Sequence, residues 1–140
     1  VAYVGRNPLT ICQDADGGNY ALRVAPDDAQ AITSLATAGN VNKDFDPGIN
    51  GYFRFAVTVL VKLATAGTYR RVSANIEARR VSGTMTVEGS QLTLSGGNST
   101  GITLTLTATS GSLRCNIANA TGETVNGRCL IGWSVEDLIA

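Results

Sequence analysis

The stretch Tyr52–Leu63 constrains the fold more than any other part of the chain. It reads YFRFAVTVLVKL, with Phe53, Phe55, Val57, Val59, Val61 and Leu63 at every second position and Arg54, Thr58 and Lys62 among the residues between them. Side chains two apart on a strand share a face, and aromatic and β-branched residues suit a pleated, half-buried surface. This stretch is therefore a strand with one face in a core.

The alternation recurs toward the C-terminus. Thr68–Val81 turns Val72, Ala74, Ile76 and Ala78 inward. Met85–Glu88 and Leu92–Leu94 are expected as short strands around Gly89. Ile102–Thr109 sets Ile102, Leu104, Leu106 and Ala108 on one face and threonines on the other. Leu113–Val135 reads as a closing hairpin, with Leu113, Cys115, Ile117, Cys129, Ile131, Trp133 and Val135 on one face and a polar turn near Thr121-Gly122-Glu123. Trp133 alternates with Ile131 and Val135, which points to core packing rather than to stacking on a sugar. Asn119-Ala120-Thr121 reads as an ordinary polar turn. Strands in such number, separated by Gly- and Ser-containing breaks, argue for a sandwich or jelly roll.

The first fifty residues differ. They hold all three prolines, Pro8, Pro26 and Pro47, and six aspartates against three cations. Tyr20, Leu22 and Val24 alternate in a short strand over NYALRVA. The segment from Pro26 to Ala36 is expected as a short helix: Pro in the first turn, Asp27 and Asp28 at the positive end of the dipole, and Gly39 to close it. Asp44–Gly51 reads as a loop. The expected architecture is all-β, a single sandwich or jelly-roll-like domain over residues 51–140, preceded by an extended arm over residues 1–50 with one short helix.

The chain has 11 cationic and 11 anionic residues, and only 16% of it is charged. A neutral chain is not a polyanion binder, and nucleic acid is not expected as a partner. No apolar run is long enough to cross a bilayer, so no membrane partner is expected. A small, neutral surface loses little by burying itself against neighbours.

Chemistry is sparse. The chain has no histidine, which removes the commonest general base and metal ligand. Most carboxylates lie in turn-like sequence, where Asp closes loops. Asp14-Ala15-Asp16-Gly17 opens like a calcium loop but lacks the later acidic ligand. No phosphate loop or dinucleotide turn occurs. No catalytic residues, metal or cofactor are expected, and the chain is not expected to be an enzyme. Cys115 and Cys129 fall on facing strands with side chains on one face, where a disulfide is geometrically conceivable. In a reducing cytosol they are expected as small core hydrophobes instead.

Two features suggest an interaction surface. Arg70-Arg71 and Arg79-Arg80 form two basic pairs on one strand, and alternation sends one Arg of each pair to each face. Thr103, Thr105 and Thr107 form an exposed ladder that could be covered at little cost when bonded across strands. Arg70, Arg71, Arg79, Arg80, Thr103, Thr105 and Thr107 are the expected interface residues.

The order of the last ninety residues carries a resemblance. A strand ending Glu77-Ala78-Arg79-Arg80 is followed by Leu113-x-Cys115-x-Ile117, a turn at Ala120-Thr121-Gly122-Glu123, and Ile131-Gly132-Trp133-Ser134-Val135-Glu136. Over Tyr52–Glu136 the chain resembles a small β-sandwich domain of tailed-bacteriophage virion proteins, found in capsid decoration (cement) proteins and at tail-fibre ends. The resemblance implies a structural part of a virion, made in the host cytoplasm. An irregular arm ahead of a neutral, Thr-rich sandwich makes the outer capsid surface the expected place, with the major capsid protein as partner and a trimer of itself as the assembly. The alternative that the resemblance implies is a tail-fibre domain that recognises a host glycan or protein.

Overall fold

The computed structural model describes residues 9–13, 20–24, 28–94 and 98–138, with the backbone alone for the first two segments. It contains ten strands and, among the described residues, no helix: β1 (Leu9–Gln13), β2 (Tyr20–Val24), β3 (Asp28–Leu35), β4 (Asn40–Phe45), β5 (Gly51–Leu63), β6 (Tyr69–Val81), β7 (Thr84–Leu94), β8 (Ile102–Thr109), β9 (Ser112–Asn119) and β10 (Val125–Leu138). β1 and β2 pair only with each other. The rest form a five-stranded sheet, ordered β3-β10-β5-β6-β7, and a three-stranded sheet, ordered β4-β9-β8. All pairings are antiparallel.

The alternation read from the sequence sets which face of each strand is buried. Phe53, Phe55, Val57, Val59, Val61 and Leu63 of β5 are buried, as are Val72, Ala74, Ile76 and Ala78 of β6. From the other sheet come Ile102, Leu104, Leu106, Leu113, Cys115 and Ile117. Trp133 closes the aromatic part of this core. Its ring lies 5.3 Å from Phe53 and 6.2 Å from Phe45. Its Nε1 is buried without a hydrogen-bond partner. The fold is the expected all-β sandwich.

Three local expectations are corrected. The segment expected as a helix is strand β3, which runs antiparallel to β10 with Ala31 opposite Arg128 and Ala29 opposite Leu130. Its own Ile32 and Leu35 are buried in the core. The pairing satisfies the backbone that a helix would have satisfied locally, and Asp28, expected beside the positive end of a helix dipole, becomes the first residue of a strand. The boundary expected at residue 50 also falls inside the sandwich. β3 edges the larger sheet and β4 edges the smaller one, with Val41 opposite Ile117 and Phe45 opposite Leu113.

The third correction concerns the closing hairpin. Its faces are as read, but β9 and β10 do not pair: β9 lies between β4 and β8, and β10 lies between β3 and β5. The turn between them crosses from one sheet to the other. Cys115 and Cys129 therefore face each other through the core instead of sharing a ladder. Both are buried free thiols. A hydrogen bond to Cys129, reinforced by burial, holds the Cys115 thiol far above the ordinary thiol range.

Candidate interaction surfaces

The outer face of the three-stranded sheet is polar from edge to edge. Thr103, Thr105 and Thr107 stand exposed on β8. In register with them are Ala118, Asn116 and Arg114 on β9, then Asn40, Asn42 and Asp44 on β4. Asn116 Nδ2 donates to Asn40 Oδ1 at 3.1 Å and to Asn42 Oδ1 at 2.8 Å. Arg114 grips both oxygens of Asp44, at 2.8 and 2.9 Å. That bidentate pair holds the Asp44 carboxyl below its ordinary range and raises Arg114 further above its own. The three threonines thus share one flat face with an asparagine row and an internally neutralised ion pair.

The four arginines do not converge. Arg70 Nε donates to Thr100 O at 3.1 Å and ties down the loop before β8. Arg80 is a clamp between the sheets. Its Nε donates to Gly111 O at 3.1 Å, and its guanidinium reaches Asn50 Oδ1 at 3.2 Å and Asp46 Oδ1 at 3.5 Å. With 15% of its side chain exposed, it is a structural residue at the base of the sandwich. Arg71 and Arg79 lie on the outer face of the five-stranded sheet, at opposite ends of β6. Arg79 pairs with Glu88 at 2.7 Å. Arg71 is exposed and makes no salt bridge among the described residues.

That outer face has an order along the strands which single-strand patterns did not reveal. At one end the register sets Ser134, Arg54, Glu77 and Glu88 side by side, with Tyr52 and Arg79 in the next row. Arg54 bridges Glu77 at 3.5 Å and Glu136 at 3.0 Å, and Tyr52 Oη donates to Glu77 Oε2 at 2.6 Å. That hydrogen bond raises the Tyr52 pKa above its ordinary value. A shallow groove of about 430 Å³ opens here around Gly89, lined by Arg54, Asn75, Glu77, Glu88 and Leu92. Its two glutamates face each other in register, but each is already held by an arginine. Their charge is therefore spent in ion pairs, which does not suit a general acid and base.

The middle of the face is uncharged. One row runs Gly132, Ala56, Asn75, Leu92, and the next runs Ala29, Leu130, Thr58, Ser73, Leu94. Leu92 is 60% exposed and Leu94 44%. Beyond them come Arg128, Leu60 and Arg71 in one row and Asn126, Lys62 and Tyr69 in the last. Lys62 Nζ lies 5.7 Å from the Tyr69 ring centre. No carboxylate stands in either of these two rows.

Among the described residues there is no group of three or more ligand-type side chains that could hold a metal ion. Among the described residues, no helix is long and apolar enough to cross a membrane. The calcium-loop-like Asp14 and Asp16 lie outside the described residues. A second groove of about 390 Å³ runs between the edge strands β3 and β4.

No protein-family model matches the chain, and no curated protein matches it. A solved structure to which it is similar is the crystal structure of the Acinetobacter phage vB_ApiP_P1 tailspike protein. The TM-score is 0.43 and the identity 11%, over 76% of this chain and 22% of the tailspike. The chain thus spans about a fifth of that protein's length.

Sequence reasoning placed Arg71 and the threonine ladder on outer strand faces but did not bring Lys62 and Arg128 beside Arg71, nor show the uncharged band. Each residue's face was available from alternation. The rows were not, because they depend on β10 lying beside β5, some seventy residues earlier in the chain.

Proposed function

We propose that the chain is a structural component of a tailed-phage virion, a decoration (cement) protein on the outside of the shell of major capsid protein. The observation that carries the reading is the separate β1–β2 sheet ahead of a complete sandwich. A lone two-stranded ribbon is marginal in water and gains order from a surface that covers it. On a shell, a neighbouring capsid subunit supplies that surface. The weakly charged outer face of the three-stranded sheet also favours the reading, since its Arg114–Asp44 pair is neutralised internally and the face can be covered without stripping water from unpaired charge. The sequence resemblance to phage virion sandwiches supports the same class. No reaction is assigned to the chain.

The test adds the purified protein to expanded shells that lack it, then follows shell melting and images the particles. The expected result is saturable binding over the shell surface and a higher melting temperature. Shells that bind none of it would sink the capsid reading. Density at the tip of the tail instead would favour the tail-fibre alternative.

A further inference from the structure

We propose that the outer face of the five-stranded sheet is a self-complementary interface that binds the same face of a second copy of this chain across a two-fold axis. The inference stands apart from the virion reading and needs only the face itself.

The charge order along the strands carries it. Around Tyr52 and Arg54, the carboxylates of Glu77, Glu88 and Glu136 outnumber the two arginines, Arg54 and Arg79, that pair with them. Around Leu60 and Lys62 stand three cations, Lys62, Arg71 and Arg128, with no carboxylate in register. The uncharged rows through Ala56 and Thr58 separate the two ends. Now place a two-fold axis in the plane of the face, parallel to these rows and midway between them. It leaves each strand over its own counterpart and reverses the strand direction. The Leu60 row then lies over the partner's Arg54 row, and the Lys62 row over the Tyr52 row. Arg71 comes over Glu77 on the same strand of the other copy, and Arg128 comes within a side chain's reach of Glu136. Leu92 covers Leu94, and the reverse contact follows by symmetry, as an isologous interface requires.

Shape and size agree. The middle rows are built largely of Gly, Ala, Ser, Thr and Asn, so two sheets can approach to the usual packing distance of about 10 Å. Ten residues of rise along β5 and four inter-strand steps give a face of about 34 Å by about 19 Å, or about 650 Å². That is near the roughly 800 Å² per partner of a stable specific complex. Leu92 and Leu94, both exposed on this face, gain a partner, while the ion pairs at the Arg54 end stay on the rim. A different symmetry loses this match: a rotation about an axis normal to the face lays no charge of one copy against the other.

The experiment is sedimentation of the full chain over a range of concentrations, alone and as two single variants, Arg71→Glu and Glu77→Lys. The wild type should form a dimer that weakens with added salt. Each variant alone sets like charges together at two symmetry-related contacts and should raise the dissociation constant about tenfold or more. Mixed one to one, the variants should recover a heterodimer, because both contacts are again of opposite sign. Thermal melts establish that each variant is folded. If Glu77→Lys does not fold, Leu94→Arg is run alone in its place, without the mixture, and should abolish the dimer. A wild type that stays monomeric, a wild-type trimer, or variants whose mixture recovers nothing would each overturn the two-fold pairing.

Discussion

Asn119 is 1% exposed, and both ends of its amide work inside the protein. Nδ2 donates to Leu35 O at 2.9 Å and Glu123 O at 2.7 Å. Oδ1 accepts from the Thr121 backbone N at 3.0 Å and its Oγ1 at 2.7 Å. These bonds tie the end of β3 to the turn that carries the chain from one sheet to the other. Glu123 fixes the same turn to its neighbour, accepting from the backbone N–H of Thr65 and Ala66, and those bonds lower its pKa. Replacing the amide by Ala strands buried carbonyls, at a cost of about 2–4 kcal/mol. Asn119→Ala should therefore lower the melting temperature by about 6–12 °C at about 3 °C per kcal/mol for a chain of this size. Asn119→Asp should do at least as much harm, because a carboxylate cannot donate to either carbonyl. A melt of both variants checks this, and near-wild-type values would show that the turn holds itself. None of this was legible in the sequence. Asn119-Ala120-Thr121 has the composition of any polar turn, and only the convergence of distant backbone groups makes its first residue a buried anchor.

At the scale of elements, alternation identified the faces of the strands but not their partners. Leu113, Cys115 and Ile117 are buried as read, and so are Cys129, Ile131 and Trp133. They reach the core from opposite sheets. A period-two pattern is the same whether the next strand pairs with the last one or crosses over it, so the pattern could not decide. β3 failed differently. Its Pro and Asp residues match a helix start, while the pairing that makes it a strand comes from β10 almost a hundred residues away. One glycine marks where β10 lies tightest against its other neighbour, β5. An added Cβ at Gly127 would meet Leu60 O at 2.0 Å and Val61 Cα at 2.6 Å, both backbone atoms of the neighbouring strand. The register with β3 also shifts between Val125 and Gly127, so β10 bends here to serve two neighbours at once. Gly127→Ala must push β5 and β10 apart and should cost about 1–3 kcal/mol. Hydrogen exchange would speed at the β5 and β10 amides beside it before it does on β8. A variant with unchanged protection on both strands would mean that the close approach relaxes freely.

For the whole molecule, the question is where the independently stable unit begins. Sequence composition puts the change at residue 50, because prolines and aspartates crowd the segment before it. The structure puts the start of the two sheets at Asp28. Removing residues 1–27 leaves both sheets complete. Removing residues 1–50 strips an edge strand from each sheet and takes Ile32, Leu35 and Phe45 out of the core. Phe45 is also a ring partner of Phe55 and Trp133, at 6.3 and 6.2 Å. Each such side chain is worth about 1.5–3 kcal/mol of burial. Their joint loss, about 4.5–9 kcal/mol on that scale, rivals the roughly 5–15 kcal/mol that holds an ordinary domain together. A chain spanning residues 28–140 should fold, with a melting temperature within a few degrees of the full chain and Trp133 fluorescence still that of a buried indole. A chain spanning residues 51–140 should show no cooperative melt and a red-shifted tryptophan. If the shorter chain folds as well as the longer one, β3 and β4 are accessories and the arm begins where the composition changes. If residues 28–140 fail to fold, the β1–β2 ribbon is part of the stable unit, and binding to a neighbour is not its source of order.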